Sequence, residues 1–164
     1  MKHVKKSVLL WYSAREMYAL VVDVESYPKF LPWCDTSTVL ERHEGDPATG
    51  AKAGMTARLG LHFAGVRQSF TTRNEQVEGE SVRLKLVDGP FSTLDGQWLF
   101  KPLRQDEGEP PRPDEPVACR VEFDLAYAFS NRALETVLSP VFDRVANTFV
   151  DSFVKRAAQV YGER

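Results

Sequence analysis

The side chains able to do chemistry are few and scattered along the chain. His3 lies in the N-terminal tail, and His43 and His62 stand alone. Cys34 and Cys119 are far apart with no second pair, which suits reduced cytosolic thiols better than a disulfide framework or a zinc site. Glu122 and Asp124 occupy alternate positions to Phe123 and Leu125, so they fall on the opposite face of a strand from its apolar set. A cyclase or dehydratase needs a titratable pair or a tuned acid inside a pocket. The sequence offers neither, nor a nucleophile motif, a metal-ligand cluster or a phosphate-cradling glycine loop. Non-enzymatic binding is the expectation, without cofactor or metal.

Charge narrows the partners. The 164 residues carry a net charge of −2, with 43% hydrophobic and 27% charged residues, as in an ordinary soluble domain. DNA is not an expected partner. Basic groups gather only at Lys2, His3, Lys5 and Lys6 and at Arg67 and Arg73, with no dense stripe for RNA. Arg73 and Asn74, in "TTRN", are the weak candidates for contact with a macromolecular partner. The apolar run near the N-terminus is only five residues long, too short for a signal sequence, and no stretch approaches the ~20 apolar residues of a membrane span. The expected location is the cytoplasm, with peripheral contact at the inner membrane left open.

The sequence is richer in apolar pattern than in reactive groups. "VESYPKFLPWC", residues 24–34, is too interrupted by proline for a core helix and too greasy for a surface loop. Before it, Val4–Tyr12 reads as a strand. Ser13 with Glu16 forms a capping box for a short helix running to about Val24, and a second broken turn is expected near Lys29–Trp33. Period-two alternation then runs through 54–63, 82–86, 94–100 and, most clearly, Val117–Phe129, with weaker strands at 36–44 and 66–77. Gly60, Gly65 and Gly96 are expected to permit bends or bulges in the sheet. A long helix follows, capped by Ser130 or Asn131, kinked or divided at Pro140 and ended by Gly162. Residues 104–116 hold four prolines and five acids against two arginines, the composition of a solvated flexible loop.

This order predicts an α+β fold of one domain, 1–164: a curved antiparallel sheet of six or seven strands gripping one long C-terminal helix, with two short helices after the first strand. Such a sheet and helix meet along a line and leave a space at one end. Tyr27, Phe30, Leu31 and Trp33 are expected to roof that hollow, with Phe91 as the facing lip of its mouth. Leu59, Leu61, Phe70, Leu84, Leu86, Trp98, Phe123, Tyr127, Val145 and Phe149 are expected to line it, and Tyr127, Trp98 or Trp33 to offer a hydrogen-bond donor. Burial of about ten apolar ligand carbons there would contribute a gross ~8 kcal/mol, part of it offset by lost motional freedom.

"VESYPKFLPWC", "SFTTRNE", "LVDGPFSTLDGQWLFKPL", "CRVEFDLAYAFSN" and "VFDRVANTFVDSFVKRAAQVYG" occur in this order and resemble the coenzyme Q-binding START-like family over about residues 3–162. The 104–116 segment departs from that pattern. The resemblance implies a helix-grip (START/Bet v 1-like) fold and a pocket for a hydrophobic polyisoprenoid, ubiquinone as bound ligand, in support of respiration. For the family's bacterial ribosome association toxin branch it implies binding to the large ribosomal subunit and blocking of subunit joining.

Overall fold

The computed structural model describes residues 1–103 and 118–164; the proline-rich segment 104–116 and Val117 lie outside the described residues. Strand β1 (Lys2–Leu10) is followed by helix α1 (Ala14–Val22) and a 3₁₀ helix (Val24–Lys29). Strands β2 (Cys34–His43), β3 (Gly54–Phe63), β4 (Val66–Val77), β5 (Ser81–Asp88), β6 (Phe91–Pro102) and β7 (Cys119–Phe129) precede helix α2 (Arg132–Tyr161). All seven strands form one antiparallel sheet in the order β1-β7-β6-β5-β4-β3-β2.

The alternation in the sequence is what sides the sheet. On β7, Cys119, Val121, Phe123, Leu125 and Tyr127 are buried, whereas Arg120 and Asp124 are exposed. β6 repeats the pattern with Leu94, Trp98 and Phe100 inward. The face so formed is covered by α2, whose Leu138, Val141, Phe142, Val145, Ala146, Val150, Phe153 and Ala157 are buried. The capping box forms as its sequence requires. Ser13 Oγ accepts from the Glu16 amide at 3.0 Å, and Glu16 Oε1 accepts from the Ser13 amide at 2.9 Å.

Local departures from expectation have identifiable causes. Strand β1 ends at Leu10 because Trp11 turns out to solvent while Tyr12 turns in and donates to the Gly162 carbonyl at 2.8 Å. The broken turn comes earlier than Lys29–Trp33. Three-residue hydrogen bonding starts at once after α1, with the Ser26 amide on the Asp23 carbonyl at 3.1 Å. Pro28 is tolerated inside this 3₁₀ helix, and Pro32 lies beyond its end. Asn131, not Ser130, caps α2, its Oδ1 accepting from the Leu134 amide at 2.9 Å. Pro140 does not divide α2, which runs unbroken for 30 residues; the ring costs a single backbone donor and the packing along the inner face holds the rest. Two glycines are required where they stand. Ala64 and Gly65 both take positive φ in the two-residue β3–β4 turn, the handedness that suits a tight hairpin. A Cβ on Gly60 would lie 2.2 Å from Thr36 Oγ1, beside the register shift between Cys34 and Thr36.

One polar knot ties α2 to the sheet's closing edge. Asp143 accepts from Tyr127 Oη at 2.5 Å and from Lys2 Nζ at 2.5 Å, and Lys2 also reaches Ser139. Burial alone would raise the Asp143 pKa, but the bonds from Lys2 and Tyr127 outweigh it and hold the group below the ordinary carboxylate range. A lowered folded-state pKa contributes stability that is present above the unfolded value and is lost as pH falls through the folded one. We therefore expect stability to fall below about pH 4, and Asp143→Asn to flatten that acid limb in urea unfolding measured from pH 7 down to 2.5. An acid limb unchanged by the substitution would remove Asp143 from the account.

Candidate functional site

Between the inner sheet face and α2 lies a cavity of about 50 Å³. Its floor comes from strands β3 to β7, with Ala57, Leu59, Phe70, Leu84, Leu94, Trp98, Phe123 and Leu125. Its cover is Phe142, Val145, Ala146 and Phe149 of α2, with Val24 and Tyr27 of the 3₁₀ helix and Trp33. Among the described residues, only Thr72 and Asn74 on β4 bring polar side-chain atoms other than the Tyr27 hydroxyl and the indole nitrogens. The space exists because Ala57 and Ala146 are small among large neighbours. It is otherwise closed by aromatic packing: Trp98 lies 4.6 Å from Phe123 and 5.2 Å from Phe153, and Phe149 stacks on Phe123 at 5.5 Å and on Phe153 at 5.1 Å, centroid to centroid.

Of the residues predicted from sequence, Tyr27, Trp33, Leu59, Phe70, Leu84, Trp98, Phe123, Val145 and Phe149 come together around this cavity. Phe30, Leu31, Leu61, Leu86, Phe91 and Tyr127 do not line it. Leu31 is buried in the core below the turn. Phe30 packs on Phe153 at 5.1 Å, with the Arg156 guanidinium over its ring at 5.3 Å. Leu86 is half-buried beyond the β5–β6 ladder, which stops at Lys85. Phe91 belongs to a second aromatic group with Phe70, Phe129 and Phe142, and with Leu61 borders a separate crevice of only about 10 Å³. The expected mouth between Phe30 and Phe91 is therefore not formed. Tyr127 is no free donor either, since its hydroxyl is committed to Asp143.

A surface cleft adjoins the cover of the cavity. Trp33 and Val145 border both the cavity and a surface cleft of about 260 Å³ lined by Pro32, Phe63, Arg144, Thr148, Asp151, Ser152 and Lys155. The indole and the valine are the partition between the two spaces. The hollow is also smaller than the sequence led one to expect: pockets for drug-sized ligands run to ~300–1,000 Å³, so a guest larger than a few atoms needs these side chains to move.

Sequence reading missed Val24, Ala57, Thr72, Leu94, Leu125, Phe142 and Ala146 as lining residues and offered Asn74 as a partner contact. Asn74 is buried on β4, an interior strand between β3 and β5, while Arg73 beside it is exposed on the outer face. The signal was available: Phe70, Thr72 and Asn74 alternate and must share one face.

The site's titratable content is slight. Tyr27 donates to the Val21 carbonyl at 2.5 Å, and burial raises its phenol further above its ordinary value. The nearby Cys34 thiol is pushed up to about 12, by burial first and then by Asp35, which leaves it unreactive. Among the described residues no cluster of histidine, cysteine and carboxylates could hold a metal ion, and no helix is long and apolar enough to cross a membrane.

Residues 10–154 match the family described as polyketide cyclase / dehydrase and lipid transport. The chain belongs to this family. Within it, the chain is 41% identical over 163 residues to the ribosome association toxin RatA of Vibrio cholerae, covering 99% of this chain and 100% of that one. It is 30% identical over 161 residues to the mitochondrial coenzyme Q-binding protein COQ10 homolog B of Xenopus laevis, covering 97% of this chain and 59% of that one. The START-like helix-grip fold is shared with a START superfamily protein of Mycobacterium smegmatis, at a TM-score of 0.66 and 18% identity over 96% of this chain and 98% of that one. It is shared also with the Zhui aromatase/cyclase of a Streptomyces species, at 0.68 and 14% over 99% of each chain. The family's description joins cyclases, dehydrases and lipid transport on one scaffold, and fold alone does not choose among them.

Proposed function

We propose that this protein binds a hydrophobic isoprenoid, ubiquinone being the best-fitting class, and carries or chaperones it without chemistry of its own. The observation that carries this reading is the enclosed cavity between sheet and α2, lined by apolar and aromatic groups except at Thr72 and Asn74. A cyclase would need an acid or base facing that space. The lining offers only the Tyr27 phenol, already bonded to a backbone carbonyl. The likeness to a coenzyme Q-binding protein over 97% of this chain supports the same ligand class. The resting volume of about 50 Å³ requires the Trp33–Val145 partition to open for entry. The surface cleft outside it, with Arg144 and Lys155 on its walls, would meet the polar layer of a membrane that delivers the ligand.

A second reading rests on a different observation. The 41% identity to a protein named for ribosome association, over almost the whole of both chains, favours a ribosomal partner; a large-subunit site and a block of subunit joining are what the family resemblance implies. The exposed Arg73 is a candidate contact for it, whereas the buried Asn74 is not. Organic extraction of freshly purified protein, with mass-spectrometric identification of the extract, separates the two. The carrier reading predicts a co-purified quinone or related isoprenoid. An empty protein that shifts the ratio of free subunits to 70S particles on a sucrose gradient would replace it with the second reading.

A further inference from the structure

The polar corner of the cavity has unspent hydrogen-bonding capacity. Thr72 Oγ1 donates to Asn74 Oδ1 at 2.7 Å, and both side chains are buried. That bond occupies the amide oxygen and leaves the Nδ2 protons out of it. On the cover of the same cavity, Trp33 Nε1 is buried with no hydrogen-bond partner among the described residues, the residue being 3% exposed. Gln76 Nε2, likewise unpartnered, does not border the cavity. Buried donors are almost always satisfied, and one left open costs the full desolvation of the group. The two tyrosines near the cavity cannot fill the role, because Tyr27 and Tyr127 spend their hydroxyl protons on Val21 and Asp143.

We propose that Asn74 and Trp33 are the recognition corner for a carbonyl-bearing ring, the amide and the indole N–H each donating to a ligand oxygen, with Thr72 positioning the amide. The complementary chemistry is a planar head carrying two acceptor oxygens and no obligatory donor, as in a para-quinone. This rests on the isoprenoid-quinone reading and adds to it the residues that distinguish a quinone from a bare hydrocarbon tail. An apolar wall would hold both alike; a buried donor pair rejects the ligand that leaves it unpaired.

The test uses the full chain and two probes, a ubiquinone with two isoprene units and a saturated isoprenoid hydrocarbon of the same length without oxygen. Thr72→Val with Asn74→Leu removes both partners together and so leaves no orphaned hydroxyl behind. Quinone affinity is expected to fall about tenfold, the worth of roughly one hydrogen bond, with hydrocarbon affinity unchanged or improved. Trp33→Phe keeps a ring in the partition, removes the N–H and should show the same split, which covers the case in which the double variant does not fold. Equal losses for both probes, or none for the quinone, would overturn the corner while leaving the ligand reading in place. A wild-type protein that takes up neither probe would overturn both.

Discussion

Replacing Phe123 by alanine is expected to cost about 3–5 kcal/mol of folding stability, a large share of the ~5–15 kcal/mol of a typical domain. The side chain is 2% exposed, packs on Trp98 and Phe149, and has helix on one side and sheet on the other. Its removal deletes aromatic contacts and leaves a void that α2, held at one point by the Asp143 knot and elsewhere by its other buried groups, cannot collapse to fill. The loss should appear as a lower urea midpoint with an unchanged slope. Because the void would join the existing cavity, a small apolar guest should bind there. Benzene at a hundred times its Kd should restore about 2.7 kcal/mol, and the same addition should leave the wild-type midpoint almost where it was. A variant destabilised by less than about 1 kcal/mol, or one indifferent to benzene, would mean that the structure can close over the site.

Much of this architecture can be read from the order of residues, because it is written in two periods. The strict alternation of Cys119 to Tyr127 and the helical recurrence of Leu138, Val141, Phe142 and Val145 leave few other ways to bury the apolar faces. The capping box at Ser13 is equally local, and local signals need no knowledge of the rest of the chain. What escaped reading depends on long-range placement. Phe30 and Phe91 are both bulky groups beside turn signals, yet only the assembled sheet places them in separate aromatic groups. Tyr127 has the right face for a ligand donor, and its loss to Asp143 comes from a helix residue sixteen positions later. Asn74 was misread for a different reason: a polar side chain in a charged stretch invites a surface role, although its alternation with Phe70 places it inside.

The second large effect concerns the space itself. Ala146 is 1% exposed on the cavity side of α2, between Phe142 and Phe149 along the helix, and Ala146→Leu adds three carbons where the hollow now lies. Leucine is as good a helix former as this position needs, so the empty protein should keep its stability to within about 1 kcal/mol. A guest would then have to force the leucine aside at a cost of about 1–3 kcal/mol, roughly a 5- to 150-fold rise in Kd. Trp33 and Trp98 both border the cavity, so their fluorescence reports arrival of a quinone. The most direct measurement is therefore a side-by-side titration of both proteins with the two-isoprene ubiquinone, following saturable quenching of tryptophan emission. The account predicts one site per wild-type chain and a curve displaced by that factor in Ala146→Leu. Superimposable curves, or quenching in the wild type that never saturates, would place the quinone outside the cavity and contradict it.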